Sequence, residues 1–164
     1  MKKGLIILSL VIFLVASSFA QNAPKIQRAY AFYTMSTPGI AMADEKGNTI
    51  NPPPIIERFM YVECPGTKPP EIRYAAYNKV EYNSTITKVN ERVIHVGKKE
   101  AGGKDVVLTA GKGNSFWKLD LQLTADSPKA PKEVSSIYIY GRSNKRGYNF
   151  HLYTETRLMT PDRY

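Results

Sequence analysis

Residues 116–124 read Phe-Trp-Lys-Leu-Asp-Leu-Gln-Leu-Thr. Trp117, Leu119, Leu121 and Leu123 alternate with Lys118, Asp120, Gln122 and Thr124. Successive side chains of a strand point to opposite faces, so a period of two buries the first set and leaves the second in solvent. Beyond Gln21 no segment carries apolar residues at i, i+3, i+4 and i+7 over three turns, which a helix would require. The chain is therefore read as all-β.

Further strands are expected at Arg28 to Thr37, Ile55 to Glu63, Glu71 to Tyr77, Thr85 to Val96, Asp105 to Thr109, Ser136 to Tyr140 and Asn149 to Leu158. Strong turn signals separate them: Thr37-Pro38-Gly39, Glu45-Lys46-Gly47-Asn48, Pro52 to Pro54, Pro65-Gly66, Pro69-Pro70, Gly102-Gly103 and Gly111-Lys112-Gly113. Proline cannot donate to a ladder, so such clusters bound strands. About eight alternating strands predict an antiparallel two-sheet β-sandwich, with a small β-barrel as the runner-up. The paired cysteines that flank a tryptophan in antibody-like sandwiches are missing.

The first twenty residues have three parts: Lys2 and Lys3, the apolar run Leu5 to Val15, and the small-residue stretch Ala16 to Ala20. That is the layout of a cleavable secretory signal, with the cut expected between Ala20 and Gln21. The apolar run is about half the roughly 20 residues a membrane span needs. Residues 21–164 then form one domain of ordinary size, exported to the periplasm, the cell surface or the medium. The signal, the tyrosine-rich strands and the closing residues Leu158 to Tyr164 resemble small exported proteins of Gram-negative bacteria, without matching the functional motif of any characterised family.

The formal charge of the chain is +9, and +7 once Lys2 and Lys3 are removed. A basic surface favours acidic partners. The basic residues are spread along the whole chain, and export separates it from most nucleic acid, so nucleic acid is not the expected partner. Cys64 is the only cysteine. No internal disulfide can form, and a lipid-anchoring cysteine after the cut is missing; Cys64 reads as a half-buried thiol at a strand end.

Signatures of chemistry are sparse. The two histidines, His95 and His151, both fall within expected strands, and no Gly-x-Ser-x-Gly elbow occurs. Neither clustered ligands nor paired Cys-x-x-Cys suggest a metal. The stretch Gly97 to Lys104 holds glycines and lysines but lacks the phosphate-loop spacing and a following helix. No cofactor is expected and no catalytic residue is assigned.

Eleven tyrosines stand against one tryptophan. Tyr138, Tyr140, Tyr148 and Tyr153, with His151, gather around the glycine-bracketed stretch Gly141 to Gly147, which carries Arg142, Lys145 and Arg146. Rigid rings supply contact area while guanidinium groups fix acidic or hydroxylated ligands. These eight residues are the expected ligand-contacting surface of a non-catalytic binding or structural module of the bacterial envelope. Its partner would be a protein, a glycan or an anionic envelope component. Two alternatives stand beside it. One is a small envelope-polymer hydrolase using paired carboxylates, such as Glu57 with Glu63 or Glu155 with Asp120. The other is a carrier of an apolar ligand inside a closed barrel.

Overall fold

The structure is a computed structural model that describes residues 23–37, 42–43, 45–47, 49–50, 52–126 and 129–160. The expected signal segment 1–20 lies outside them. The strands are β1 (Arg28–Ser36), β2 (Met42–Ala43), β3 (Thr49–Ile50), β4 (Ile55–Pro65), β5 (Glu71–Tyr77), β6 (Val80–Lys88), β7 (Val93–Lys98), β8 (Asp105–Thr109), β9 (Asn114–Leu123), β10 (Ile137–Ser143), β11 (Arg146–Leu152) and β12 (Thr156–Arg157).

The chain is all-β, but eight strands form one sheet where two facing sheets were expected. Their order is β11-β10-β5-β6-β9-β4-β1-β12, and the remaining strands form the small pairs β2-β3 and β7-β8. The large sheet is mixed, because β12 runs parallel to β1 while its other neighbours are antiparallel. It is curled into a half-barrel. The connectivity shows how tightly: β11 and β12 lie at opposite edges yet are joined only by Tyr153, Thr154 and Glu155. Such a link spans at most about 14 Å between flanking Cα atoms. The curl therefore brings the two edges together, and β1 approaches β11 across the seam.

Two expected strands are divided. Thr85 to Val96 splits into the end of β6 and the start of β7 around Val89–Arg92, and Asn149 to Leu158 splits into β11 and β12 at the seam. Two hairpins turn on just two residues each. Asn78-Lys79 and Asn144-Lys145 each have positive φ at both positions (49° and 73°, 53° and 63°). That is the two-residue hairpin turn whose twist matches the flanking strands, and asparagine tolerates the left-handed region better than most residues. The stretch Gly141 to Gly147 is thus mostly strand, not loop.

The concave side holds the larger core. Met60, Val62 and Cys64 of β4, Trp117, Leu119 and Leu121 of β9, Ala29 and Ala31 of β1, Tyr82 of β6, Ala75 and Tyr77 of β5, and Ile137 and Ile139 of β10 pack together there. The alternation read from residues 116–124 sets which side chains of β9 join it. Among them lies a charge. Arg58, on the same face of β4, is 3 % exposed. Its Nε and Nη2 donate to Glu155 at 3.0 and 3.1 Å, Nη1 donates to the Tyr82 hydroxyl at 3.1 Å and Nη2 to the Pro131 carbonyl at 2.6 Å. The guanidinium carbon also lies 5.0 Å from the centroid of Tyr77 and 5.8 Å from that of Tyr33. Burial disfavours the charged guanidinium, but the bonds to Glu155 outweigh it and hold the pKa above the ordinary value.

On the convex side, the β7-β8 hairpin lays Ile94, Val106 and Leu108 over Phe32 of β1 and Phe116 of β9, with Phe59 and Tyr61 of β4 alongside. Phe32 and Phe59 stack at 5.6 Å. At the far end of β4 the Glu63 carboxylate is fully buried. It receives Arg28 Nε at 2.6 Å, Gly111 N–H at 2.9 Å and Asn114 Nδ2 at 2.6 Å. Burial alone would raise its pKa, but the bonds from Arg28, Asn114 and Gly111 prevail and lower it. Cys64 is fully buried rather than half-buried, and burial pushes its thiol up to about 12, with the Glu63 charge adding to the effect.

Two outcomes follow. Replacing Arg58 with Met leaves Glu155 buried and unpaired, and is expected to lower the unfolding free energy in urea by about 3–5 kcal/mol. The R58M/E155L double variant recovers much of that loss. An R58M midpoint equal to wild type would show that the buried pair does not hold the seam. A carboxyl lowered in the folded state contributes stability that is present above its unfolded pKa near 4.3 and is lost as pH falls through the folded value. The urea midpoint should therefore drop on acidification below about pH 4.3, and E63Q should flatten that drop.

Candidate recognition face

β10 pairs with both β5 and β11, so its outward residues meet outward residues on either side. The register sets Tyr138 opposite His151 and Tyr140 opposite both Asn149 and Tyr74. The result is one row of rings across three strands. Tyr74 and Tyr140 stack at 4.5 Å with 23° between planes, Tyr138 and His151 at 4.3 Å with 1°, and His151 meets Tyr153 at 4.2 Å. Tyr138 and Tyr140 are 6.1 Å apart. None of these five residues belongs to either core. Rings stacked across strands about 4.8 Å apart stand upright on the sheet, so the row offers ring edges and hydroxyls to solvent. Tyr153, at the end of the row, is 72 % exposed. His151 Nε2 is shielded by its neighbours and has no hydrogen-bond partner among the described residues.

At the other end the row becomes cationic. Arg142 follows Tyr140 on the same face of β10, and the register places it beside Gly147 and Glu71. Arg73, Arg142, Lys145 and Arg146 are all exposed, and no ion pair engages them among the described residues. Between this end and the Tyr74–Tyr140 stack lies an open cleft of about 420 Å³, lined by Arg73, Tyr74, Tyr140, Gly141, Gly147, Tyr148 and Asn149.

The eight residues expected from sequence are not all brought together. Tyr138, Tyr140, Arg142, His151 and Tyr153 share the outer face. Tyr148 instead turns inward and packs on the concave core, its hydroxyl pKa raised by burial. The opposite parity along β11 separates Arg146 from His151, and Lys145 occupies the turn. A strand running unbroken from Asn149 to Leu158, as expected, would put Glu155 and Arg157 on the face of His151. The strand ends at Leu152, and Glu155 points inward to Arg58. Tyr74, Arg73 and Asn149 were missed. Tyr74 and Arg73 lie far from β10 in the chain, and no sequence signal states that β5 pairs with it.

Other candidate chemistry disperses. Glu63 is held by Arg28 and Glu155 by Arg58, so neither expected carboxylate pair converges. A groove of about 690 Å³ on the β4-β9 side does hold both Glu57 and Asp120, over Phe59, Leu158 and Met159. Asp120 is bound there to Lys118 at 2.7 Å. His95 is exposed on β7. Among the described residues no three His, Cys, Asp or Glu side chains converge as a metal site. The residues around Met60, Trp117 and Arg58 pack together on the concave side, where an apolar ligand would have to sit.

Comparison of the chain with protein-family models, curated proteins and solved structures gives no match.

The face depends on one small residue. A Cβ on Gly141 would lie 2.7 Å from the Tyr148 ring and hydroxyl and 2.9 Å from the Glu71 carbonyl. The pairing also shifts register between Tyr140 and Gly141, which sets Arg73 beside the cleft. G141A is expected to destabilise the fold by about 1–3 kcal/mol in urea unfolding, through overpacking. The combined G141A/Y148A variant should regain part of that loss if the clash is the cause.

Proposed function

We propose that this protein is an exported, non-catalytic binding module, and that the outer face of β5, β10 and β11 is its recognition surface. One observation carries the reading: five aromatic side chains adjoin one another in a row outside both cores, two pairs of them stacked, and the row ends near exposed cations that no ion pair engages among the described residues. Tyrosine and arginine supply much of the energy of recognition surfaces, because a ring with few torsions loses little entropy on binding and a guanidinium makes paired bonds to anions. Stacking rings on one another before a ligand arrives lowers that loss further. Export rests on Lys2, Lys3, the run Leu5 to Val15 and the small residues up to Ala20. A protein, glycan or anionic component of the bacterial envelope is the corresponding partner.

The purified protein should co-sediment with isolated Gram-negative envelope fractions. The variant Y138S/Y140S/Y153S should lose at least tenfold in apparent affinity while its unfolding free energy in urea stays within about 1 kcal/mol of wild type, since these side chains lie outside the cores. Equal co-sedimentation of the variant and wild type would remove this face from consideration.

A further inference from the structure

We propose that the cationic end of the row binds a saccharide unit carrying a carboxylate, as found in acidic polysaccharides. The inference rests on the recognition face proposed above and names its ligand class. The cleft beside the Tyr74–Tyr140 stack measures about 420 Å³, within the roughly 300–1,000 Å³ of small-ligand sites. Its lining divides into three chemistries that match one sugar acid.

Arg73 lines the cleft and Arg142 projects beside it from the same face, two planar donors for a carboxylate. Two acidic residues stand near, Glu71 opposite Arg142 in the register and Glu81, whose charge acts on Tyr74, against four exposed cations, Arg73 and Arg142 beside the cleft and Lys145 and Arg146 at and after the adjoining turn. Asn149 and the phenols of Tyr74 and Tyr140 supply donors and acceptors suited to sugar hydroxyls. Gly141 and Gly147 contribute no side chains, and nothing lies within 4 Å of the position a Cβ on Gly147 would take. A ring can therefore settle close to the backbone there.

The same geometry argues against two other anions. Single-stranded nucleic acid binds by stacking bases on open aromatic faces. Here the ring faces are largely occupied by one another, and the most exposed ring, Tyr153, sits at the end of the row away from the arginines. A lipid surface calls for exposed apolar side chains beside the cations. Of the large exposed apolar residues, Ile55, Val93, Val107, Leu123 and Met159 lie on other strands or segments, and only Tyr153 belongs to this face.

The test is calorimetric titration of the full exported protein with two carboxylated oligosaccharides, an oligogalacturonate and an oligoalginate, at low and high salt. Controls are the methyl-esterified oligogalacturonate and a single-stranded oligodeoxynucleotide of equal charge. Expected are binding of at least one acidic oligosaccharide, at least tenfold weaker binding of the ester, and at least tenfold loss in R73Q/R142Q and in Y140S. Affinity should also fall with salt, as for any exposed ionic contact. Equal binding of acid and ester, tighter binding of the oligonucleotide, or no binding of either acidic oligosaccharide would overturn the carboxylate inference. In those cases the envelope co-sedimentation of Y138S/Y140S/Y153S still decides the recognition face separately. If R73Q/R142Q unfolds early, R73K/R142K replaces it. Lysine keeps the charge but not the paired bonds, so an undiminished affinity in that variant would also count against the arginine assignment.

Discussion

A guanidinium buried in an apolar interior is tolerated only when its charge is paired and its N–H groups are bonded, and Arg58 meets that demand by reaching three separate parts of the chain. Its partners come from β6, from the segment before β10 and from the link between β11 and β12. Each of these must lie where the guanidinium can reach it. Glu155 has the largest structural consequence, because it sits in the three-residue link that carries the chain from one edge of the sheet to the other. An open eight-stranded sheet would hold β11 and β12 far apart. The paired charge and the short link together require the sheet to curl.

The curl in turn decides what each part of the convex side does. Over β1, β4 and β9 the β7-β8 hairpin covers Phe32, Phe59 and Phe116, and that half becomes a second core. Over β5 and β10, with β11 at the edge, the rings belong to neither core and stack on one another instead. The two halves use similar residue types for different ends. Aromatic side chains under the hairpin stabilise by burial, whereas those of the open half retain their hydroxyls in reach of solvent and adjoin cations that no ion pair engages among the described residues. That contrast is the physical basis for treating the open half as a binding surface.

Much of the local structure was legible from sequence. Alternation in Phe116 to Thr124 identified the buried face of β9, the proline and glycine clusters marked most strand ends, and the all-β class followed from the lack of any helical period. Errors arose where a turn carried no glycine. Asn78-Lys79 and Asn144-Lys145 use asparagine and lysine in left-handed conformations, so the adjoining strands β6, β10 and β11 were read too short. The two-sheet sandwich was expected because alternation states only that a strand has a buried side, and that is equally true of a flat sheet packed on another and of one sheet curled on itself.

The candidate site divides along the same line. Sequence by itself determined that Tyr138, Tyr140, Arg142, His151 and Tyr153 lie close along the chain, because residues of one hairpin are neighbours whatever the rest does. Tertiary structure alone decided that Tyr148 turns into the core, that Glu155 leaves the group to pair with Arg58, and that Tyr74 and Arg73 join it from β5. These are matters of strand register and sheet order. Both are set by long-range hydrogen bonds and by the need to bury one charge, and neither leaves a periodic mark in the sequence.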